Sequence, residues 1–374
     1  NDTLDGRAGG DRLDGSVGID TVTYAFSIAG VAVALDDVNR NLVSSASGGY
    51  AAGDTLISIE NLDGSAFGDT LTGNSFANVL NGMNGNDRLF GLGGNDHMFG
   101  GAGNETIGGG EDNDIVSGGA GADILDGGAG IDTVSFAENA RAVTVTLANG
   151  ASAGQATTYV PLFPLGFLER DTLYNFENIA GSAAGDRLTG NDARNAIQGG
   201  FGDDTLVFSL GGDTLDGDGD IDTLDLSRAG GAATVDLQRS VTVDGMAAVT
   251  TLRDMENVIG TRFGDTIAGR VGDNIITGGE GDDRMTGNGG NDTFVFRTLA
   301  EMGVIADNTR DIITDFSEGD RLDFRSLDAD PDATGIQAYS FIGDAAFSGA
   351  GGEMRARLGG GGNMNISFDV DGDR

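Results

Sequence analysis

The stretch Gly82-Met83-Asn84-Gly85-Asn86-Asp87-Arg88-Leu89-Phe90, followed at once by Gly91-Leu92-Gly93-Gly94-Asn95-Asp96-His97-Met98-Phe99, decides how the rest of the chain is read. In each half a glycine stands first, an acid sixth and an apolar residue eighth. Working outward, glycine recurs at 64, 73, 82, 91, 100, 109, 118 and 127. The sixth positions hold Asp69, Asn78, Asp87, Asp96, Glu105, Asp114, Asp123 and Asp132. The eighth hold Leu71, Leu80, Leu89, Met98, Ile107, Val116, Leu125 and Val134, giving eight unbroken nonapeptides over 64–135. A second run of five units, 181–225, carries Asp186, Asn195, Asp204, Asp213 and Asp222. A third of four units, 260–295, carries Asp265, Asn274, Asp283 and Asp292. Near the start, Asp2, Asp11 and Asp20 keep the same step. A fixed short period of this kind signals a solenoid.

Each unit divides into a turn and a strand. Glycine at positions one, two and four permits positive φ and close backbone approach. The last three residues form a short strand whose middle side chain points inward. Two units then make one coil of 18 residues, and equivalent residues stack ~4.8 Å apart. Asp69, Asp87, Glu105 and Asp123 line one edge, and Asn78, Asp96, Asp114 and Asp132 the other. The fold class expected is all-β: a parallel β-roll, or β-solenoid, with strand-rich inserts and a C-terminal β cap.

Such a roll has an electrostatic problem. The chain of 374 residues has 59 acids against 21 basic residues, all arginine, for a formal charge of −38. Two carboxylates ~5 Å apart repel by roughly 3 kcal/mol at an effective dielectric of 20. One buried aliphatic side chain per unit returns only ~1.5–3 kcal/mol. A hard divalent cation between stacked loops reverses the sign. Calcium takes six to eight oxygens, which paired carboxylates and loop carbonyls supply; magnesium prefers a smaller octahedral shell. The expected carboxylate ligands are Asp2, Asp11, Asp20, Asp69, Asp87, Asp96, Glu105, Asp114, Asp123, Asp132, Asp186, Asp204, Asp213, Asp222, Asp265, Asp283 and Asp292. The position-four glycines Gly85, Gly94, Gly103, Gly121, Gly130, Gly202, Gly281 and Gly290 are the expected loop partners. Pairing units two apart gives about eleven calcium sites, in a range of roughly 8–12. Asn78, Asn195, Asn274 and Glu105 are expected to weaken theirs.

The segments between runs share a plan. Ile19-Asp20-Thr21-Val22, Ile131-Asp132-Thr133-Val134 and Ile221-Asp222-Thr223-Leu224 open them. Glu60-Asn61-Leu62, Glu177-Asn178-Ile179 and Glu256-Asn257-Val258 close them. The divisions expected are 1–63, a partial roll and first insert; 64–135, a roll; 136–180, the second insert; 181–225, a roll; 226–259, the third insert; 260–295, a roll; and 296–374, a C-terminal cap. The inserts read as longer strands that extend the roll, and Pro161 and Pro164 mark a buried loop.

Composition excludes several functions. Strong negative charge repels nucleic acid. Without cysteine there is no disulfide or thiolate zinc site. Without lysine there is no P-loop lysine or Schiff base. His97 is the single histidine, expected exposed and without a catalytic role. H-E-x-x-H does not occur. No apolar run approaches the ~18 residues of a membrane span, and no signal peptide opens the sequence. Asp216-Gly217-Asp218-Gly219-Asp220 fails as an EF-hand, because Ile221 stands where the loop glycine belongs.

The repeat G-G-x-G-x-D-x-U-x, in the residues quoted above, strongly resembles the RTX family of haemolysin-type calcium-binding nonapeptides. Residues 292–374, with Phe294-Val295-Phe296, Asp311-Ile312-Ile313-Thr314-Asp315-Phe316, Asp320-Arg321-Leu322-Asp323-Phe324 and Asn365-Ile366-Ser367-Phe368-Asp369, resemble the C-terminal part of serralysin-type secreted metallopeptidases. These strands are short, so the second resemblance is the weaker. It implies an export signal at the chain end, and Asp371 and Asp373 are candidates for another calcium. Together the resemblances imply a type I-secreted, extracellular protein whose roll is disordered without calcium and folds outside the cell. The implied partners are calcium, the secretion machinery and possible self-association at a cell surface, with no nucleic acid and no transmembrane segment. Two alternatives stay open: an S-layer or adhesin-type structural protein, and the tail of a secreted protease, lipase or polysaccharide epimerase with its catalytic domain upstream. No catalytic constellation is read in this chain.

Overall fold

The structure, a computed structural model, describes residues 1–36, 45–149, 152–160, 167–298, 301, 310–328, 337–346, 348, 351–358 and 364–369. Pro161, Pro164, Asp371 and Asp373 lie outside the described residues. The chain divides into two compact units. One comprises Asn1–Leu224 with Met246–Met255; the other comprises Asp225–Gly245 with Glu256–Arg374.

The first unit is a parallel β-roll. Along one face Thr70–Thr72, Arg88–Leu92, Thr106–Glu111 and Ile124–Ala129 pair in parallel. Along the facing one Val79–Asn81, His97–Ala102, Ile115–Ala120 and Thr133–Ser135 do the same. Partners are 18 residues apart, as in Leu71↔Leu89↔Ile107↔Leu125 and Leu80↔Met98↔Val116↔Val134. Every one of these eight side chains is at most 1% exposed. Period-two alternation leaves their neighbours outside, as with Phe90 and Ile124. His97 is exposed on the outer face and meets Phe99 edge-on at 5.9 Å between centroids.

The second insert is an oversized coil. Thr133–Ser135 pairs directly with Asn178–Ala180, so that ladder passes from Val134 to Ile179 without a break. The other face gains a hairpin. Phe167–Tyr174 stacks in parallel on Ile124–Ala129, and Gly154–Val160 runs back along it. Val143–Thr146 then pairs antiparallel with Gly154–Val160 and parallel with Arg187–Thr189. The first insert is built alike, with Ala32–Ala34 antiparallel to Ser45–Ser47 and parallel to Thr70–Thr72.

In the second unit Thr266–Ala268 and Arg284–Thr286 form one ladder, extended by Ile312–Ile313. Asn257–Ile259, Ile275–Thr277 and Thr293–Val295 form the other, extended by Arg321–Asp323. The segments after Asp292 therefore begin by continuing the roll. Ser340–Phe341, Glu353–Leu358 and Met364–Asp369 make a separate three-stranded sheet. Phe368 contacts Phe324 and Tyr339 edge-on, at 5.3 and 4.9 Å between centroids. Among the described residues no helix is long and apolar enough to cross a membrane.

Candidate metal sites

The sixth residue of each nonapeptide is buried and folded back over the first. One oxygen of each Asp accepts a backbone N–H from the coil before. Asp87, Asp96, Asp114, Asp123 and Asp132 accept from residues 69, 78, 96, 105 and 114 at 2.7–2.8 Å. Asp204, Asp213 and Asp222 accept from residues 186, 195 and 204 at 2.6–2.9 Å. Asp283 and Asp292 accept from residues 265 and 274 at 2.7 and 3.0 Å. Asp20 accepts from Asp2, which is itself exposed, at 2.6 Å. These bonds set the stacking register.

The second oxygen sorts the acids into two kinds. In Asp11, Asp20, Asp87, Asp96, Asp114, Asp123, Asp132, Asp204 and Asp283, Oδ2 is buried with no hydrogen-bond partner. Glu105 has both of its carboxylate oxygens buried. Asp69, Asp186 and Asp265 are different, because each is closed by hydrogen bonds. Their Oδ2 accepts the N–H of Ser65, Ser182 or Thr261 at 2.5–2.6 Å. Their Oδ1 accepts the hydroxyl of the same residue at 2.8–2.9 Å. Oδ1 also accepts an insert N–H, from Val31, Val143 or Ala233, at 2.7 Å. Asp213 is closed by the Ser209 hydroxyl at 2.8 Å.

Position two makes this difference. Met83, Leu92, Gly101, Gly110, Gly119, Gly128, Gly200, Asp218, Gly279 and Asn288 have positive φ, and Ser65, Ser182, Thr261 and Ser209 do not. The left-handed turn carries the position-two N–H away from the carboxylate. In the other conformation a hydroxyl residue gives it two donors.

The Asn of each second unit has its own task. The Asn78, Asn195 and Asn274 side-chain amides donate to the carbonyls of Glu60, Glu177 and Glu256 at 2.6–2.8 Å. A carboxylate there would face a carbonyl oxygen with no proton between them. Asn thus joins insert to roll.

Burial raises the pKa of several of the open acids. It pushes Asp87, Asp114 and Asp132 to about 6, Asp96 and Asp204 to about 7 and Asp283 to about 8. Glu105 and Asp123 are both raised, chiefly by burial. A buried carboxylate with a free oxygen needs a proton or a cation. The donor set suits a hard cation. A side chain added at Gly82, Gly91, Gly109 or Gly199 would place Cβ 2.2–2.5 Å from the open Oδ2 of that unit. The same point lies 2.3–2.8 Å from a main-chain carbonyl of the next coil. Carboxylate and carbonyl oxygens therefore edge one cradle that only glycine leaves free, the oxygen chemistry calcium prefers. Among the described residues no three acidic or imidazole side chains converge, so any shell here relies on main-chain oxygens.

The position-four glycines bring the loops close enough for that. At Gly103 and Gly121 an added Cβ would lie 1.5 Å from the carbonyl oxygens of Gly85 and Gly103. At Gly130 it would lie 1.8 Å from the Asp112 oxygen. At Gly85, Gly94, Gly202, Gly281 and Gly290 it would meet backbone of the preceding coil at 2.4–2.5 Å.

Four further acids occupy sixth-position places that the glycine register does not mark. Asp54, Asp171, Asp311 and Asp320 accept the N–H of Asp11, Asp123, Asp283 and Asp292 at 2.8–3.1 Å. Their signal is the remnant Asp-x-apolar: Asp54-Thr55-Leu56, Asp171-Thr172-Leu173, Asp311-Ile312-Ile313 and Asp320-Arg321-Leu322. Thr250 takes the corresponding place after Asp213.

A search of curated proteins returned no match. The family model described as the RTX calcium-binding nonapeptide repeat (4 copies) matches residues 1–22, 63–98, 99–134, 180–215 and 259–294. Those stretches contain the stacked acids and the glycine turns just described. Over them the chain carries RTX calcium-binding nonapeptide repeats.

Proposed function

We propose that this chain is the calcium-folded roll of an exported bacterial protein, unfolded where calcium is scarce and folded outside the cell. The observation that carries the reading is the ladder of buried acids behind the leading coils, in which Asp87, Asp96, Asp114, Asp123, Asp132, Asp204 and Asp283 spend one oxygen on stacking and keep the other open. The open acids of adjacent coils and the carbonyls over position-one glycines would hold the ions. When bound, calcium supplies the positive charge that lets stacked carboxylates stay ionised. The chain's own residues do the rest. Oδ1 fixes the register, the aliphatic ladders exclude water, and the glycines let the loops approach.

Metal binding and folding are then one equilibrium. Extracellular-grade calcium sites have dissociation constants of ~10⁻⁴–10⁻³ M, far above cytosolic calcium. Inside the cell a formal charge of −38 keeps the chain expanded and fit to pass a narrow type I export channel. Folding outside makes the passage one-way. Residues 1–374 carry no catalytic step in this reading, and any enzymatic activity belongs to sequence elsewhere. The test is far-UV circular dichroism with sedimentation velocity across buffered calcium from sub-micromolar to millimolar, with magnesium as control. Cooperative β-structure near millimolar calcium in a monomer supports the reading. Ordered calcium-dependent assemblies would favour a surface-layer protein instead, and a midpoint below micromolar calcium would refute the export mechanism.

A further inference from the structure

Among the described residues, Asp283 in the last matched stretch and Asp311 beyond it reproduce the open geometry. Asp311-Ile312-Ile313 lies on Asp283-Arg284-Met285 in parallel, with Arg284↔Ile312 and Met285↔Ile313. The Ile312 N–H donates to the Asp283 carbonyl at 2.8 Å, and the Asp283 N–H donates to Asp311 Oδ1 at 2.9 Å. The same two bonds, both 2.8 Å, hold Asp132-Thr133 on Asp114 inside the long run. Only the connection differs, 28 residues in place of 18.

Asp283 is 1% exposed, and the Oδ2 atoms of both Asp283 and Asp311 are buried without a partner. Asp282 and Glu301 add negative charge around Asp311. Asp54 and Asp320, also outside the glycine register, lack this opening. Asp320 Oδ2 is taken by the N–H and hydroxyl of Ser317 at 2.7 and 3.2 Å. Asp54 Oδ2 takes the Tyr24 hydroxyl at 3.2 Å.

We propose that Asp283 and Asp311 together hold a further calcium ion, one coil beyond the last glycine-marked turn. The inference rests on the reading that open acids take calcium. It adds that the calcium ladder is set by stacking register, not by the nonapeptide, and so crosses into the C-terminal segment.

The experiment compares calcium bound per chain at saturation, by equilibrium dialysis, in the full chain and in Asp311→Asn, Asp96→Asn and Asp320→Asn. Asn at 311 keeps an oxygen for the Asp283 N–H and removes the charge. The expected result is the loss of one calcium in D311N and in D96N, and none in D320N. If D96N loses one and D311N none, the inference falls while the ladder reading stands. If neither loses calcium, the ladder reading falls with it. Should D311N fail to fold, anomalous scattering from wild-type crystals soaked in terbium decides. A lanthanide bridging the two carboxylates supports the site, and its absence there, with sites filled in the long run, overturns it.

Discussion

The leading coil of each run and the coils behind it share one motif and use it differently. In the leading coils Asp69, Asp186 and Asp265 spend both oxygens on hydrogen bonds, and Asn78, Asn195 and Asn274 tie the next unit to the insert. In the coils behind them Asp87, Asp96, Asp114, Asp204 and Asp283 keep a buried oxygen open. The contrast teaches that the acid alone does not define a site. A hydroxyl residue four positions earlier, outside the left-handed region, closes it. Glycine or a left-handed residue there accompanies the open oxygen of Asp87, Asp96, Asp114, Asp123, Asp132, Asp204 and Asp283. The leading coils thus have internal donors, as does Asp213 in a later one, where Asp87, Asp96, Asp114, Asp204 and Asp283 need an external cation.

The largest effect expected is from the backbone approach both kinds of coil share. Gly103→Ala puts a methyl 1.5 Å from the Gly85 carbonyl oxygen at φ +153°. We expect loss of the cooperative melt of the long run, a destabilisation of more than about 3 kcal/mol. Differential scanning calorimetry in saturating calcium checks this; an unchanged melt would break the stacking account.

The next effect is of pH, and it separates protons from calcium. Without calcium, burial raises the folded pKa of Asp87, Asp114 and Asp132 to about 6 and of Asp96 and Asp204 to about 7. The unfolded value is about 3.9. Folding therefore takes up protons, and the stabilisation they give is full below about pH 4 and fades as pH rises through about 6–7. The calcium-free chain should show more β-structure at pH 4.5 than at pH 8. The calcium midpoint should fall as pH rises over the same range. Circular dichroism at both pH values checks it, and equal spectra in chelator would contradict it.

A smaller effect sharpens the comparison directly. Asp69→Asn should leave the calcium number unchanged and destabilise by about 1–3 kcal/mol through its hydrogen bonds to Ser65 and Val31. Titration calorimetry paired with urea unfolding separates the two readings. A lost ion in D69N would mean that closed acids bind after all. The smallest effect belongs to Ser65→Ala, which removes the hydroxyl at 2.9 Å from Asp69 Oδ1 and keeps the N–H. About 1 kcal/mol is expected, with calcium unchanged.

The roll was legible because its period is written in glycine, acid and aliphatic side chains, and the ladder Leu71↔Leu89↔Ile107↔Leu125 follows that step. The sorting of the acids was less visible. Ser65, Ser182, Thr261 and Ser209 stand in plain sight at position two, yet their meaning depends on a backbone dihedral that the repeat pattern does not encode. The tie made by Asn78 was hidden because its partner, the Glu60 carbonyl, lies 18 residues back in a segment without the motif. Asp54, Asp171, Asp311 and Asp320 escaped notice because the chain reaches them across irregular connections. Only the fold shows that an insert is one long coil.

The most direct test is a crystal structure of the full chain grown in calcium. The account predicts ions beside Asp87, Asp96, Asp114, Asp132, Asp204 and Asp283, and none beside Asp69, Asp186, Asp213 or Asp265. Ions beside the closed acids, or open acids left hydrogen-bonded to water alone, would contradict it.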